Sequence, residues 1–129
     1  RPTSGELEFC NAGHNSPYRL NGKTVETIEG AKGIILGVRP DAVYATGRLS
    51  LAPGDCVYLF TDGVTEAADP QENLFSEQRL EAVLGAGAGF STADIVKSVA
   101  EAVRSFVGTA LPSDDITMLA VRRLDPAAA

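Results

Sequence analysis

Tryptophan is absent from this chain, histidine and methionine occur once each, and cysteine occurs twice. Two cysteines by themselves cannot make a disulfide framework or a zinc site. Cys10 and Cys56 each fall in a run that reads as a strand, Glu6 to Cys10 and Asp55 to Phe60, so both are expected to be small buried apolar residues. No apolar run approaches the roughly 20 residues that span a bilayer, and the first residues lack the shape of a signal peptide. A cytoplasmic location and no membrane partner are therefore expected. Basic residues are also scarce, 11 against 17 acidic ones for a net charge of -6, which argues against a surface built for nucleic acid or anionic lipid. No Gly-x-Ser-x-Gly elbow exists to support a serine hydrolase.

What is present suffices for one domain: 129 residues, 44% of them hydrophobic. The first half reads as short strands joined by turns. Glu6 to Cys10 alternates. Tyr18 to Leu20 and Thr24 to Ile28 flank Asn21-Gly22, a dipeptide that favours the positive backbone angles of a tight hairpin. Val43 to Leu51 alternates again, and Pro53-Gly54 marks a turn before Asp55 to Thr61. The continuous Val-Tyr-Leu-Phe of that last run predicts a strand buried on both faces.

The second half changes period. Glu77 to Leu84 places Leu80, Val83 and Leu84 on one helical face and is expected to stop at Gly85. Gly85 to Gly89 reads as a flexible link. From Ser91 onward, Ile95, Val96, Val99, Ala102, Val103 and Phe106 recur at three- and four-residue steps, and Ser91-Thr-Ala-Asp94 is compatible with a capping box. Gly108 to Pro112 should break this helix, Ile116 to Arg122 should form a last strand, and 125–129 should fray. Strands, then two helices, then one strand predict an α+β chain with antiparallel sheet layers and the helix pair on one face.

Two acidic segments stand at the ends of the strands expected to be most buried. Asp62 follows Val-Tyr-Leu-Phe-Thr, with Gly63 to let the backbone turn; Asp114 and Asp115 immediately precede the final strand. If those strands are antiparallel neighbours, the end of one meets the start of the other and two or three carboxylates share one edge. Such a group repels itself and raises its own proton affinity unless a cation holds it ionised. Oxygen donors alone suit hard ions such as magnesium, manganese or calcium. The plainer reading is that Asp-Gly turns and Ser-Asp-Asp loops commonly cap strand ends.

Five motifs in order carry a resemblance over Gly5 to Arg122. They are Asn11-Ala-Gly-His-Asn-Ser-Pro17, Leu36-Gly37, Leu51-Ala-Pro-Gly-Asp55, Leu59-Phe-Thr-Asp-Gly-Val-Thr-Glu-Ala67 and Ser113-Asp-Asp-Ile-Thr-Met-Leu119. Together they resemble the PP2C-type serine/threonine phosphatases, and more closely the bacterial SpoIIE and RsbU branch. The resemblance implies a β-sandwich of two antiparallel sheets flanked by helices (αββα). It also implies two manganese or magnesium ions, and attack of metal-activated water on phosphoserine or phosphothreonine. By the same resemblance Asp62 and Asp114 are catalytic metal ligands, Asp115 is a neighbouring acceptor or alternate ligand, and Asn11 lies toward the substrate. The implied partner is a phosphorylated regulatory protein such as an anti-sigma-factor antagonist. The family carries a further metal-bridging Asp upstream of the Asn-Ala-Gly-His region, so residues 1–124 are expected to be the carboxyl-terminal portion of such a domain, incomplete at its amino-terminal side and weak or inactive alone. Exposed strand edges would then favour a homodimer.

His14 reads first as a loop hydrogen-bonding residue and only second as a general base. Glu66 is expected to be solvated, its alternatives being a cap for the turn or a reach toward metal-bound water. The rival functions are a non-catalytic binding or dimerisation module that keeps the fold, and a calcium-stabilised structural domain.

Overall fold

The computed structural model describes residues 4–22, 24–87, 89–111 and 114–125. In chain order the elements are strands β1 (Glu6–Phe9), β2 (Tyr18–Asn21), β3 (Thr24–Thr27), β4 (Gly47–Ser50) and β5 (Cys56–Phe60). Helices α1 (Asp62–Thr65), α2 (Ser76–Ala86) and α3 (Thr92–Val107) come next, then strand β6 (Met118–Arg122). β3, β2, β5 and β6 form one antiparallel sheet in that order, and β1 pairs with β4 in a second. The class is α+β, as the change of period predicts.

The four-stranded sheet is the middle layer. Alternation sends Leu20, Cys56, Tyr58 and Phe60 to one face, where α2 and α3 cover them with Leu80, Leu84, Ile95, Val99 and Val103. The opposite face carries Val57 and Leu59, which meet Leu7, Phe9 and Leu49 of the small sheet together with Ile28 and Leu51. β5 is thus apolar on both sides because it is covered on both sides. Aromatic rings stiffen the helix-facing layer: Tyr18 and Phe60 stack with centroids 5.6 Å apart, and Tyr58 lies 6.1 Å from Phe60. Burial raises the Tyr58 hydroxyl well above the ordinary tyrosine range. For Tyr18 burial acts first, and the bond its hydroxyl donates to Glu81 adds to it.

Local sequence explains most boundaries. Asn21-Gly22 closes the β2–β3 hairpin in a register that sets Asn21 opposite Thr24, with Gly22 at φ 55. Ser91 caps α3 by accepting from the Asp94 amide at 3.1 Å. The Asp94 carboxylate bonds back to the Ser91 hydroxyl at 2.6 Å rather than to its amide, so the box is only half closed. The turn before β5 is locked by Asp55, 2% exposed, whose Oδ2 accepts from Arg19 Nε at 2.9 Å, Arg19 Nη2 at 2.5 Å and the Ala52 amide at 2.9 Å.

Several expectations are corrected. α2 runs past Gly85 to Ala86 and ends at Gly87, whose amide donates to Val83 O at 3.0 Å. The alternating run 43–51 is strand only at Gly47–Ser50, because partner residues exist only along β1, and Val43 is 93% exposed. Cys56 is fully buried, its thiol pushed upward by that burial, whereas Cys10 is exposed just beyond the end of β1. Of the fraying expected at 125–129, residues 126–129 lie outside the described residues. Leu80, with no exposed surface, fills the centre of the helix-facing core. Truncating Leu80→Ala should destabilise the fold by about 2–5 kcal/mol, read as a lower urea midpoint.

Candidate active site at the rim of the sheet

β5 and β6 pair antiparallel with Phe60 opposite Met118, so the carboxyl end of one strand stands beside the amino end of the other. Thr61 sews the two together beyond the last ladder pair. Its amide donates to Thr117 O at 3.0 Å, its hydroxyl donates to Asp115 O at 3.0 Å, and its hydroxyl oxygen accepts from the Thr117 amide at 3.0 Å. Immediately outside this stitch lie Asp62 on one segment and Asp114 and Asp115 on the other.

The two acidic segments touch through their backbones. A Cβ added at Gly63 would fall 2.5 Å from Asp115 O and 3.5 Å from the Asp114 carbonyl carbon, so only glycine permits this approach. All three aspartates are exposed. Asp62 Oδ1 accepts from the Gly63 amide at 3.1 Å and Asp114 Oδ1 from the Asp115 amide at 2.7 Å. The second oxygen of each has no hydrogen-bond donor among the described residues. The backbone does not simply turn away after Gly63: Asp62 opens the four-residue helix α1, where the positive end of the helix favours its carboxylate. Glu66 ends that helix through its amide, which donates to Asp62 O at 2.8 Å, while the residue itself is exposed.

The Asn11 to Pro17 loop reaches the same end of the sheet, since β2 opens with Tyr18 opposite Tyr58 and runs antiparallel to β5. Asn11, 8% exposed, clasps the loop: its Nδ2 donates to His14 O and its Oδ1 accepts from His14 N, both at 2.8 Å. Its backbone joins the neighbouring segment through Asn11 N to Ala31 O at 3.0 Å and Gly33 N to Asn11 O at 2.7 Å. Asn11 therefore shapes the loop. His14 places Nδ1 3.0 Å from Asn15 O, a loop contact that agrees with the structural reading of this residue.

The donor chemistry fits a hard divalent ion in kind, because three exposed carboxylates on one rim offer oxygen atoms only. In number it fits in part: among the described residues no group of three or more carboxylate, imidazole or thiol side chains is placed to hold a metal. These residues would supply a portion of a coordination shell. Thr61 was not singled out by the sequence, although it stands inside the Thr-Asp-Gly motif. No composition or spacing signal distinguishes it from an ordinary strand-end threonine.

Comparison with known proteins agrees with this fold. The Stage II sporulation protein E (SpoIIE) family matches residues 1–124. The phosphoserine phosphatase RsbU of Bacillus subtilis is 31% identical over 121 residues, covering 92% of this chain and 35% of RsbU. Protein IcfG of a Synechocystis species is likewise 31% identical over 121 residues, covering 94% of this chain and 19% of IcfG. Among solved structures, the SiaA PP2C domain of Pseudomonas aeruginosa superposes with a TM-score of 0.75 at 26% identity, across 92% of this chain and 47% of that one. The fold is thus that of the PP2C-type phosphatase domains. Within that class the chain belongs to the SpoIIE family, and it spans about a third or less of the length of these two curated relatives.

Replacing Gly63 by alanine should force the two acidic segments apart. A loss of about 1–3 kcal/mol, measured as a lowered thermal midpoint, is expected from the overpacking.

Proposed function

We propose that the protein containing this chain is a metal-dependent serine/threonine phosphatase acting in the cytoplasm on a phosphorylated regulatory protein, and that Asp62, Asp114 and Asp115 are its rim carboxylates. The observation that carries this reading is the backbone contact between Gly63 and Asp115, which brings both acidic segments to one exposed edge. The name of RsbU, a phosphoserine phosphatase, supports the reaction class. An anti-sigma-factor antagonist is the kind of substrate that fits this branch.

Asp62 and Asp114 would hold manganese or magnesium, with Asp115 as neighbouring acceptor or alternate ligand. A bound ion would supply charge that neutralises the carboxylates, orients a phosphate and lowers the proton affinity of water. The chain's own part is positional. Thr61 fixes the spacing of the two segments, α1 orients Asp62, and the Asn11 clasp holds the neighbouring loop at the same end of the sheet. Among the described residues no helix is long and apolar enough to cross a membrane.

A second reading has one observation behind it. β6 ends the four-stranded sheet with its outer edge unpaired among the described residues, and Leu119 and Val121 on it are 54% and 51% exposed. Such an edge accepts another strand, so a homodimer through β6 is expected, and sedimentation velocity should show a species of twice the chain mass that Val121→Lys disperses.

The main reading is tested on the full-length gene product. Manganese-dependent release of phosphate from a phosphoserine peptide is expected. Asp62→Asn should lower the rate about a hundredfold or more, because a hard cation contributes several kcal/mol. Equal rates for wild type and variant would remove Asp62 from the site.

A further inference from the structure

A hollow opens beside the acidic rim. It is a cleft of about 470 Å³ between the carboxyl-terminal half of α3 and the segment leading into β6, and Gly63 and Asp114 form its wall on the rim side. Its floor is apolar, built from Ala67, Ala100, Val103 and Met118. At its mouth stand Leu111, 90% exposed, and Ile116, 43% exposed. An apolar hollow with exposed leucine and isoleucine at its lip gains by being covered.

Arg104, on α3, also lines this cleft, and it differs from the other described basic residues in having no partner for its side chain among the described residues. Five of the others pair with carboxylates. Arg79 donates to two carbonyls and lies over Phe106, Arg122 approaches the Cys56 thiol, and Arg123 donates to Leu51 O. In a chain of net charge -6, the one described cation with no partner among the described residues lines the same cleft as Asp114 and Gly63. A planar guanidinium with open donors is suited to a carboxylate brought by a ligand.

We propose that this cleft docks the stretch of the substrate phosphoprotein beside its phosphorylated residue, seating an apolar side chain on the Val103–Met118 floor and a carboxylate on Arg104. The inference rests on the phosphatase reading for the presence of a phosphorylated segment at the rim. Continuity favours this occupant, since Asp114 and Gly63 border both places. Charge favours it too, because Arg104 is the described cation without a counter-charge among the described residues and it lines the same cleft as Asp114. Arg104 and the floor would set which phosphoproteins are chosen and leave the reacting atoms to the rim.

The test uses the full-length protein and fluorescein-labelled phosphoserine peptides carrying Leu-Glu, Leu-Lys or Ala-Ala within three residues of the phosphoserine. Binding is read by fluorescence anisotropy and phosphate release is read separately. Wild type should bind the Leu-Glu peptide about tenfold more tightly than the Leu-Lys peptide, the size expected when attraction at one charge pair is replaced by repulsion. Arg104→Glu should invert that order, Arg104→Lys should keep it, and added salt should shrink it. The same order in Arg104→Glu as in wild type would overturn the docking role. Preserved binding order without any phosphate release would instead overturn the phosphatase reading and leave the docking cleft standing.

Discussion

The antiparallel pairing of β5 with β6, extended past its last ladder pair by the three hydrogen bonds of Thr61, is the constraint on which the rest of this structure depends. Asp62 and Asp114 are separated by the whole helical half of the chain. Only the register of these strands makes them neighbours. α2 and α3 act on the site indirectly, by burying Tyr58 and Phe60 and so holding β5 flat beneath them. The glycine at position 63 then lets the backbones meet, and it is the smallness of that residue rather than its freedom of rotation that matters.

Much of this was legible in the chain because local and global preferences agree. The amphipathic stripe of α3 and the doubly apolar run of β5 each have one low-energy outcome, and the structure adopts it; the hairpin also forms where expected, although of Asn21 and Gly22 only Gly22 takes a positive φ and Asn21 ends β2. The stripe from Ile95 to Phe106 is core, as its width suggests. The meeting of the two acidic segments could be stated only conditionally, on the premise that two particular strands are neighbours, and that premise holds.

The parts that were not legible are those decided by partners distant in sequence. Val43 to Leu51 alternates well enough for a longer strand, yet strand length is set by what lies alongside, and β1 pairs only as far as Gly47 to Ser50. Helix α1 carries no periodic signal, being a single turn at the end of β5. Cys10 and Cys56 occupy similar-looking runs; one sits just past a strand end and the other in the ladder between two covered faces. Arg104 looks like any other solvent-facing helix arginine, and only its missing counter-charge and its place on a cleft wall set it apart.

The register of β6 has a consequence for how this chain can vary in length. Between Thr65 and Leu111 residues can be added or removed in the connections around α2 and α3, because nothing there counts in twos. The short stretch from Asp115 to Met118 has no such latitude. One residue inserted there exchanges the sides of Met118 and Leu119, drives a half-exposed leucine into the helix-packed layer, and carries the stitch at Thr61 out of step. Length heterogeneity among natural or engineered versions of this fold should therefore accumulate on the helical side and stop abruptly at Ile116 and Thr117, between the acid pair and the final strand.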